Sequence, residues 1–412
     1  MSIIKKKLEA FYGLPHQVQF CKKCVISNQR PSSTIEFRNQ IGEKKKVINF
    51  NDDGVCSACV YHEEKEKNIN WEERDLKLKS LLEKFRRDDG HYDVIVPGSG
   101  GKDSSFTAHL LKNKYGMNPL TVTWAPHLYT DIGWKNMQAW THKGGLDNLL
   151  YSPNGILHRE LTKNAFHNLL HPFQPFIIGQ RIIGPAMAKK FGVKLVMYGE
   201  NQAEYGNAIE ENINPIMNNN FFSTEDVLSM NFGGKSIKNY IESGKYSLND
   251  FSPYIPPDKK KLIEAGIEVH YLGYYVKWDP QECYYYAAEN TGFQANPMRT
   301  EGTYSKYSSI DDKIDPFHYY TTLIKFGIGR CTYDASQEVR HGKITREEAC
   351  YLVKKYDSEF PKIYFKEFLD YIDTNEDDFW KIIDKFRSPH IWHKLKEDWH
   401  LRHTVSKDGI DD

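Results

Sequence analysis

The chain has 412 residues, enough for two or three domains with a full core in one of them. Its 55 basic and 55 acidic residues balance, so no overall field steers a polyanion onto the surface. No run approaches the ~20 apolar residues of a membrane helix, and Met1-Ser2-Ile3-Ile4-Lys5-Lys6-Lys7 lacks an apolar stretch of signal-peptide length, so a cytoplasmic chain without membrane insertion is expected.

Residues 1–65 carry little apolar periodicity but four of the seven cysteines, as Cys21-Lys22-Lys23-Cys24 and Cys56-Ser57-Ala58-Cys59. In a cytosolic chain such pairs are not disulfides. Each Cys-X-X-Cys presents two thiolates to one tetrahedral ion at about 2.3 Å, and two knuckles leave no open position. A structural zinc on Cys21, Cys24, Cys56 and Cys59 is therefore expected to hold the module together. A redox pair normally opens a helix, and neither pair reads as doing so. Cys283, Cys331 and Cys350 are isolated and read as buried small apolar residues. The charge-rich stretch Glu63 to Arg87, with its spaced Leu, Trp and Phe, suggests an amphipathic linking helix, assigned to residues 66–90.

From 91 to 201 strands alternate with helices. The strands are expected at Tyr92–Pro97, Leu120–Trp124, Asn148–Tyr151 and Lys194–Tyr198, and the helices at Ser105–Lys114, Trp134–Gly144, His158–Leu170 and Phe176–Phe191. Such alternation predicts an α/β fold with a doubly wound, mostly parallel sheet, and ligands at the carboxyl ends of its strands. Three motifs fall at those ends: Ser99-Gly100-Gly101-Lys102-Asp103-Ser104-Ser105, Thr123-Trp124-Ala125-Pro126 and Tyr198-Gly199-Glu200-Asn201. A glycine-rich turn feeding a helix N-terminus is an anion site. The first motif lacks the Gly-Lys-Ser/Thr ending of a Walker A loop and resembles the pyrophosphate loop of the ATP pyrophosphatases. That resemblance implies ATP cleavage to AMP and pyrophosphate, with Ser99, Gly100, Gly101, Ser104 and Ser105 cradling pyrophosphate. Asp103 beside phosphates calls for a cation, so it is assigned to Mg2+. The backbone at Thr123 and Trp124 would frame the adenine. Gly199 and Glu200 complete the nucleotide site, with Glu200 holding magnesium or positioning the acceptor and Asn201 hydrogen-bonding either.

Residues 202–258, with Asn218-Asn219-Asn220, Gly233-Gly234 and a Pro-rich exit, break the pattern and read as an insertion, a lid or substrate loop. Beyond it, 259–412 reads as a strand at Val269–Val276 followed by a mostly helical region, with helices at Tyr319–Phe326, Arg346–Lys355, Tyr364–Ile372 and Phe379–Phe386. In Gly329-Arg330-Cys331-Thr332-Tyr333-Asp334, Asp334 reads as an N-cap. Arg330 suits phosphate or carboxylate binding, or alternatively a salt bridge to Glu338. Thr345 with Glu348 reads as a capping box. Lys306 or Lys325 could neutralise the leaving pyrophosphate. The candidate catalytic residues are thus Lys102, Asp103, Glu200, Lys325 and Arg330. The sixteen histidines show no metal-ligand spacing, and His390, His393, His400 and His403 read as one face of a helix.

The four-cysteine module, the Val96-Pro97-Gly98 to Ser105 loop, Tyr198-Gly199-Glu200-Asn201 and Gly329-Arg330-Cys331-Thr332-Tyr333-Asp334-Ala335-Ser336 stand in the order found in the N-acetyl sugar amidotransferases of bacterial surface-glycan pathways, including lipopolysaccharide O-antigen. The chain is similar to that family over nearly its whole length. The resemblance implies a PP-loop fold of the adenine-nucleotide α-hydrolase kind. It also implies ATP-dependent conversion of an acetamido group on a nucleotide-linked sugar to an acetamidino group, with ammonia from a separate glutaminase. PP-loop tRNA thiolation is the alternative; it needs reactive cysteines by the nucleotide and a basic face.

Overall fold

Five short runs frame the molecule. The computed structural model describes residues 8–10, 12–31, 44–205, 214–218, 222–224 and 226–405. Strands β1 (Val94–Pro97), β2 (Pro119–Trp124), β3 (Asp147–Tyr151), β4 (Leu195–Tyr198) and β5 (Glu268–Tyr271) form one sheet, in the order β3-β2-β1-β4-β5. Every ladder in it is parallel. β1 is buried along its whole length, as a parallel strand covered on both faces must be, which is why it reads Val-Ile-Val without a polar break. Its side chains alternate between two cores. Ile95 packs with helices α5 (Gly155–Leu169) and α6 (Gln174–Phe191), while Val94 and Val96 pack with α2 (Trp71–Phe85) and α3 (Lys102–Asn113). The sheet is thus doubly wound, as expected. The chain steps outward from β1 through β2 to β3, then returns to place β4 on the other side of β1. That reversal opens a crevice at the carboxyl ends of β1 and β4, where such sheets take ligands.

Several boundaries differ from the sequence reading. α1 (Ser57–Lys67) runs through Glu63, and α2 starts only at Trp71, capped by Asn70, whose side chain accepts from Glu72 and Glu73 N–H. The linking segment 66–90 is therefore the end of one helix and the whole of another. Cys56 is the N-cap of α1, so the second Cys-X-X-Cys does open a helix. The first helical turn puts residues three apart on one side, which is how both thiols face inward. α3 begins at Lys102 rather than Ser105, and α4 (Asp131–His142) at Asp131 rather than Trp134. β5 stops at Tyr271 and turns into the helix Leu272–Tyr275, because Gly273 N–H bonds the Gly199 carbonyl at 2.8 Å.

Part of 202–258 is packed into the core. Phe232, Phe251 and Tyr254 are fully buried, and Tyr254 lies 5.3 Å from the ring of Trp124. Of the asparagine run, Asn219 and Asn220 lie outside the described residues. After β5 come α7 (Pro280–Thr291), α8 (Asp315–Phe326), α9 (Arg330–Arg340), α10 (Arg346–Tyr356), α11 (Phe365–Tyr371) and α12 (Glu376–Lys385). The Thr345–Glu348 capping box opens α10. The histidine-rich tail is no helix but a hairpin, β6 (Trp392–Leu395) against β7 (Asp398–Leu401), with Lys396 at φ +54° in its turn. Among the described residues no helix is long and apolar enough to cross a membrane.

Candidate functional site

The glycine loop closes the end of β1. Gly100 sits at φ +79°, a left-handed conformation that turns the chain from strand into α3. Gly98 folds over the first turn of α3 so closely that a Cβ on it would meet the Ser104 Cβ at 2.1 Å. Gly101 is the N-cap and carries no capping side chain, so the N–H groups of the first turn point into the crevice with no intrahelical acceptor. Ser104 Oγ and Ser105 Oγ donate to the carbonyls of Gly101 and Gly100, at 3.2 and 3.3 Å, which fixes the loop. Ser99 hydrogen-bonds the half-buried Asp311, whose carboxyl desolvation holds above the usual range. On the neighbouring strand the β1 register ends at Pro97 opposite Val122, so Thr123 and Trp124 run on past β1. The Thr123 hydroxyl accepts from Asn148 at 2.9 Å, and the Trp124 ring turns into the core, stacked 5.7 Å from Tyr151.

Lys102, Asp103 and Glu200 converge. Lys102 is buried and donates to Asp103 Oδ2 at 2.5 Å, while Asp103 Oδ1 is buried with no hydrogen-bond partner. Burial works against the Lys102 charge, yet Asp103, Cys283 and Glu200 together hold its pKa above the ordinary lysine value. Gly199 sits against Trp278, where a Cβ would meet the indole at 3.0 Å. Asn201 is buried and its Oδ1 accepts from Ala203 N–H at 3.2 Å. Cys283, which the sequence shows only as a lone cysteine on α7, faces this group; burial first, then Asp103 and Glu200, push its thiol well up. It is therefore held protonated, the reverse of an activated thiolate. An orphaned carboxylate oxygen beside the free N–H groups of a helix N-terminus suits a hard divalent cation, so the residues present fit magnesium.

Arg330 and Lys325 have other partners. Arg330 pairs not with Glu338 but with Asp334 (Nε to Oδ2, 3.1 Å) and Asp315 (3.5 Å), and its guanidinium lies 4.2 Å from the Tyr319 ring centre. Glu338 instead accepts from the Tyr304 and Tyr307 hydroxyls, at 2.8 and 3.4 Å. Asp334 lies inside α9 and does not cap it. The N-cap is Gly329, and the cap carboxylate comes from Asp357, which takes Gly329 N–H at 2.9 Å and Thr332 N–H at 2.8 Å. Sequence reasoning reads caps locally and had no signal for one supplied from beyond α10. Lys325 donates to the Leu169 carbonyl at 2.6 Å and lies among the rings of Tyr12, Phe326 and Phe386. Burial, with Lys45 nearby, lowers its pKa well below the lysine range, so it is poorly suited to neutralise a phosphate. Lys306 reaches the Pro297 carbonyl.

The four cysteines close on one point. Their sulfurs all lie within 4.8 Å of one another, with Cys21 to Cys59 at 3.9 Å and Cys24 to Cys56 at 3.7 Å. Four ligands at about 2.3 Å from one tetrahedral ion stand about 3.8 Å apart, so the set fits a single ion. The later chain clamps the module: Arg346 donates to the carbonyls of Cys21 and Cys24, and Lys65 of α1 is fully buried against Glu204 at 2.7 Å.

Residues 301–405 match the family model described as LPS biosynthesis protein WbpG-like, C-terminal domain. A curated relative, uncharacterized protein MJ1599 of Methanocaldococcus jannaschii, is 33% identical over 78 residues, 19% of this chain. The match spans only 27% of that relative's length. Among solved structures, the chain is similar to the NH3-dependent NAD synthetase from Campylobacter jejuni (15% identity, 48% of this chain and 92% of that one, TM-score 0.28). It is also similar to the U34-tRNA thiolase NcsA from Methanococcus maripaludis with its 4Fe-4S cluster (14%, 74% and 88%, TM-score 0.30). A third is the NMN synthetase from Francisella tularensis (11%, 72% and 98%, TM-score 0.26).

Proposed function

Because residues 301–405 carry the C-terminal domain of WbpG-like LPS-biosynthesis proteins, we propose that the chain is an ATP-dependent enzyme of surface-glycan synthesis. It converts an acetamido group on a nucleotide-linked sugar to an acetamidino group. The observation that carries the ATP reading is the glycine loop at the reversal point of a parallel sheet, with α3 aimed into the crevice and Asp103, Lys102 and Glu200 beside it.

An amide oxygen is a poor leaving group. Its attack on the α-phosphate of ATP forms an O-adenylyl imidate and releases pyrophosphate. Ammonia then adds to the activated carbon, the C–O bond breaks, AMP departs and the amidine remains. The chain's part is to hold the phosphates on the N–H groups of Gly101 to Ser104, to place positive charge with Lys102, and to keep water from the imidate. Asp103, with Glu200, would hold magnesium, which when bound offsets charge on the phosphate oxygens. The cysteine set would hold zinc in a closed, structural role. A separate glutaminase supplies the ammonia. The thiolation reading is disfavoured by Cys283, since a buried thiol with a raised pKa is a poor sulfur carrier.

The test is pyrophosphate release from ATP with ammonium and a panel of nucleotide-linked N-acetyl sugars, with product mass read alongside. We expect AMP and a sugar lighter by the difference between O and NH. Asp103→Asn should stay folded at the assay temperature, with a lowered melting point because buried Lys102 loses its charged partner, while losing pyrophosphate release by at least a hundredfold. Sugar-independent turnover, or full activity in Asp103→Asn, would count against the reading.

A further inference from the structure

A half-open cleft lies beside this crevice, lined among others by Asp279, Ser305, Tyr307, Asp334, Gln337 and Glu338. Ser305 is only 7% exposed, and its Oγ has no hydrogen-bond partner. A buried hydroxyl left unpaired on a cleft wall costs free energy unless a ligand completes it. Tyr307 forms an aromatic wall, stacked on Tyr284 with ring centres 4.6 Å apart. Glu338 is already oriented by two tyrosine hydroxyls, and Asp334 by Thr303 at 2.6 Å and by Arg330.

Two connections tie the cleft to the nucleotide crevice. The segment that lines it at Ser305, Tyr307 and Ser308 continues within a few residues to Asp311, which bonds Ser99 of the glycine loop. Three residues from Ser308 to Asp311 span at most about 11 Å. The other connection is α7, which begins next to Asp279 at one end of the cleft and carries Cys283 to Lys102, Asp103 and Glu200.

We propose that this cleft seats the ring hydroxyls of the acceptor sugar and presents its acetamido group to the α-phosphate, a role that rests on the proposed function. Asp279, Asp334 and Glu338 accept from hydroxyls but repel a diphosphate, so the nucleotide end of the acceptor lies outside the cleft. Lys343 leaves that balance intact, since it is shared between Asp279 and Glu282, at 3.4 Å from each. Ser305 Oγ and the Gln337 amide supply the neutral donors and acceptors that read the ring.

The experiment uses the full chain carrying Ser305→Ala and Gln337→Ala together. Steady-state pyrophosphate release should show the sugar KM raised at least tenfold, with the ATP KM unchanged and the melting temperature near that of the parent. An unchanged sugar KM overturns the assignment. Saturation-transfer NMR, with nucleotide-linked N-acetylhexosamines and no ATP, separates the cleft from the chemistry. Transfer to the ring protons in the parent, lost in the double variant, supports the cleft even if no sugar-dependent turnover is found, an outcome in which only the amidotransferase reading falls. No transfer in the parent, or equal transfer in both, overturns it.

Discussion

His318 stacks on His171 and Phe173, and its Nδ1 has no hydrogen-bond partner among the described residues. Burial, with Arg330, His127 and Lys325 adding like charge, lowers its pKa from 6.5 to about 3. The folded protein therefore keeps this ring neutral where the unfolded chain would charge it. That stability is present above 6.5 and is lost as pH falls toward the folded value. His318→Phe, which keeps the stacking, should remove this loss. From about pH 7 to about pH 5.5, the parent should lose roughly 1 kcal/mol more unfolding free energy than the variant in urea titrations. Parallel pH profiles would refute the assignment. Nothing in the spacing of the sixteen histidines announces this cluster, because His127 and His318 sit on separate elements. The glycine loop, by contrast, is legible as a turn, since a positive φ and a bare N-cap leave their mark in adjacent positions, although α3 begins at Lys102 rather than Ser105.

Among elements, β1, β2 and β4 could be read from the sequence because each is a short, mostly apolar run between turn residues, buried along most of its length. The junctions that unite them could not, because their partners are far apart in the chain. The fully buried Lys65–Glu204 pair joins α1 to the segment after β4 across 139 positions, and Lys65 also donates to the Trp278 carbonyl at 2.8 Å. Removing one member leaves the other charge buried alone, so Lys65→Met should cost about 3–5 kcal/mol. Adding Glu204→Leu should recover part of that loss. If thermal unfolding shows Lys65→Met within about 0.5 kcal/mol of the parent, the pair is not holding the helix to the β4 end. Arg330 teaches the same lesson. A guanidinium beside a glycine reads as an anion site, but Asp334 lies one turn on in its own helix and Asp315 comes from α8, which only the fold brings to it.

For the whole molecule, the four-cysteine site behaves as a keystone rather than an appendage. Its apolar surround, Ile26, Ile48, Val55 and Ala58, is completed by Ile328, with Tyr333 and Val339 of α9 packed against it. A strong chelator should therefore lower the melting temperature of the entire chain in one cooperative transition, with one equivalent of metal released and stability restored by zinc. Metal content of one per chain should disappear in Cys21→Ser. A chelated protein that melts unchanged would show that the thiols hold nothing structural.

The clamp of Arg346 on the carbonyls of Cys21 and Cys24 also sets a timetable for synthesis. Roughly 290 residues separate Cys59 from Arg346, so at about 5–20 residues per second the ribosome makes the arginine roughly 15–60 seconds after the last thiol. Through that interval the nascent module shows the side that Ile328 and α9 will later cover. A bound ion would let those residues wait in shape, so that the newly made tail docks onto a finished surface.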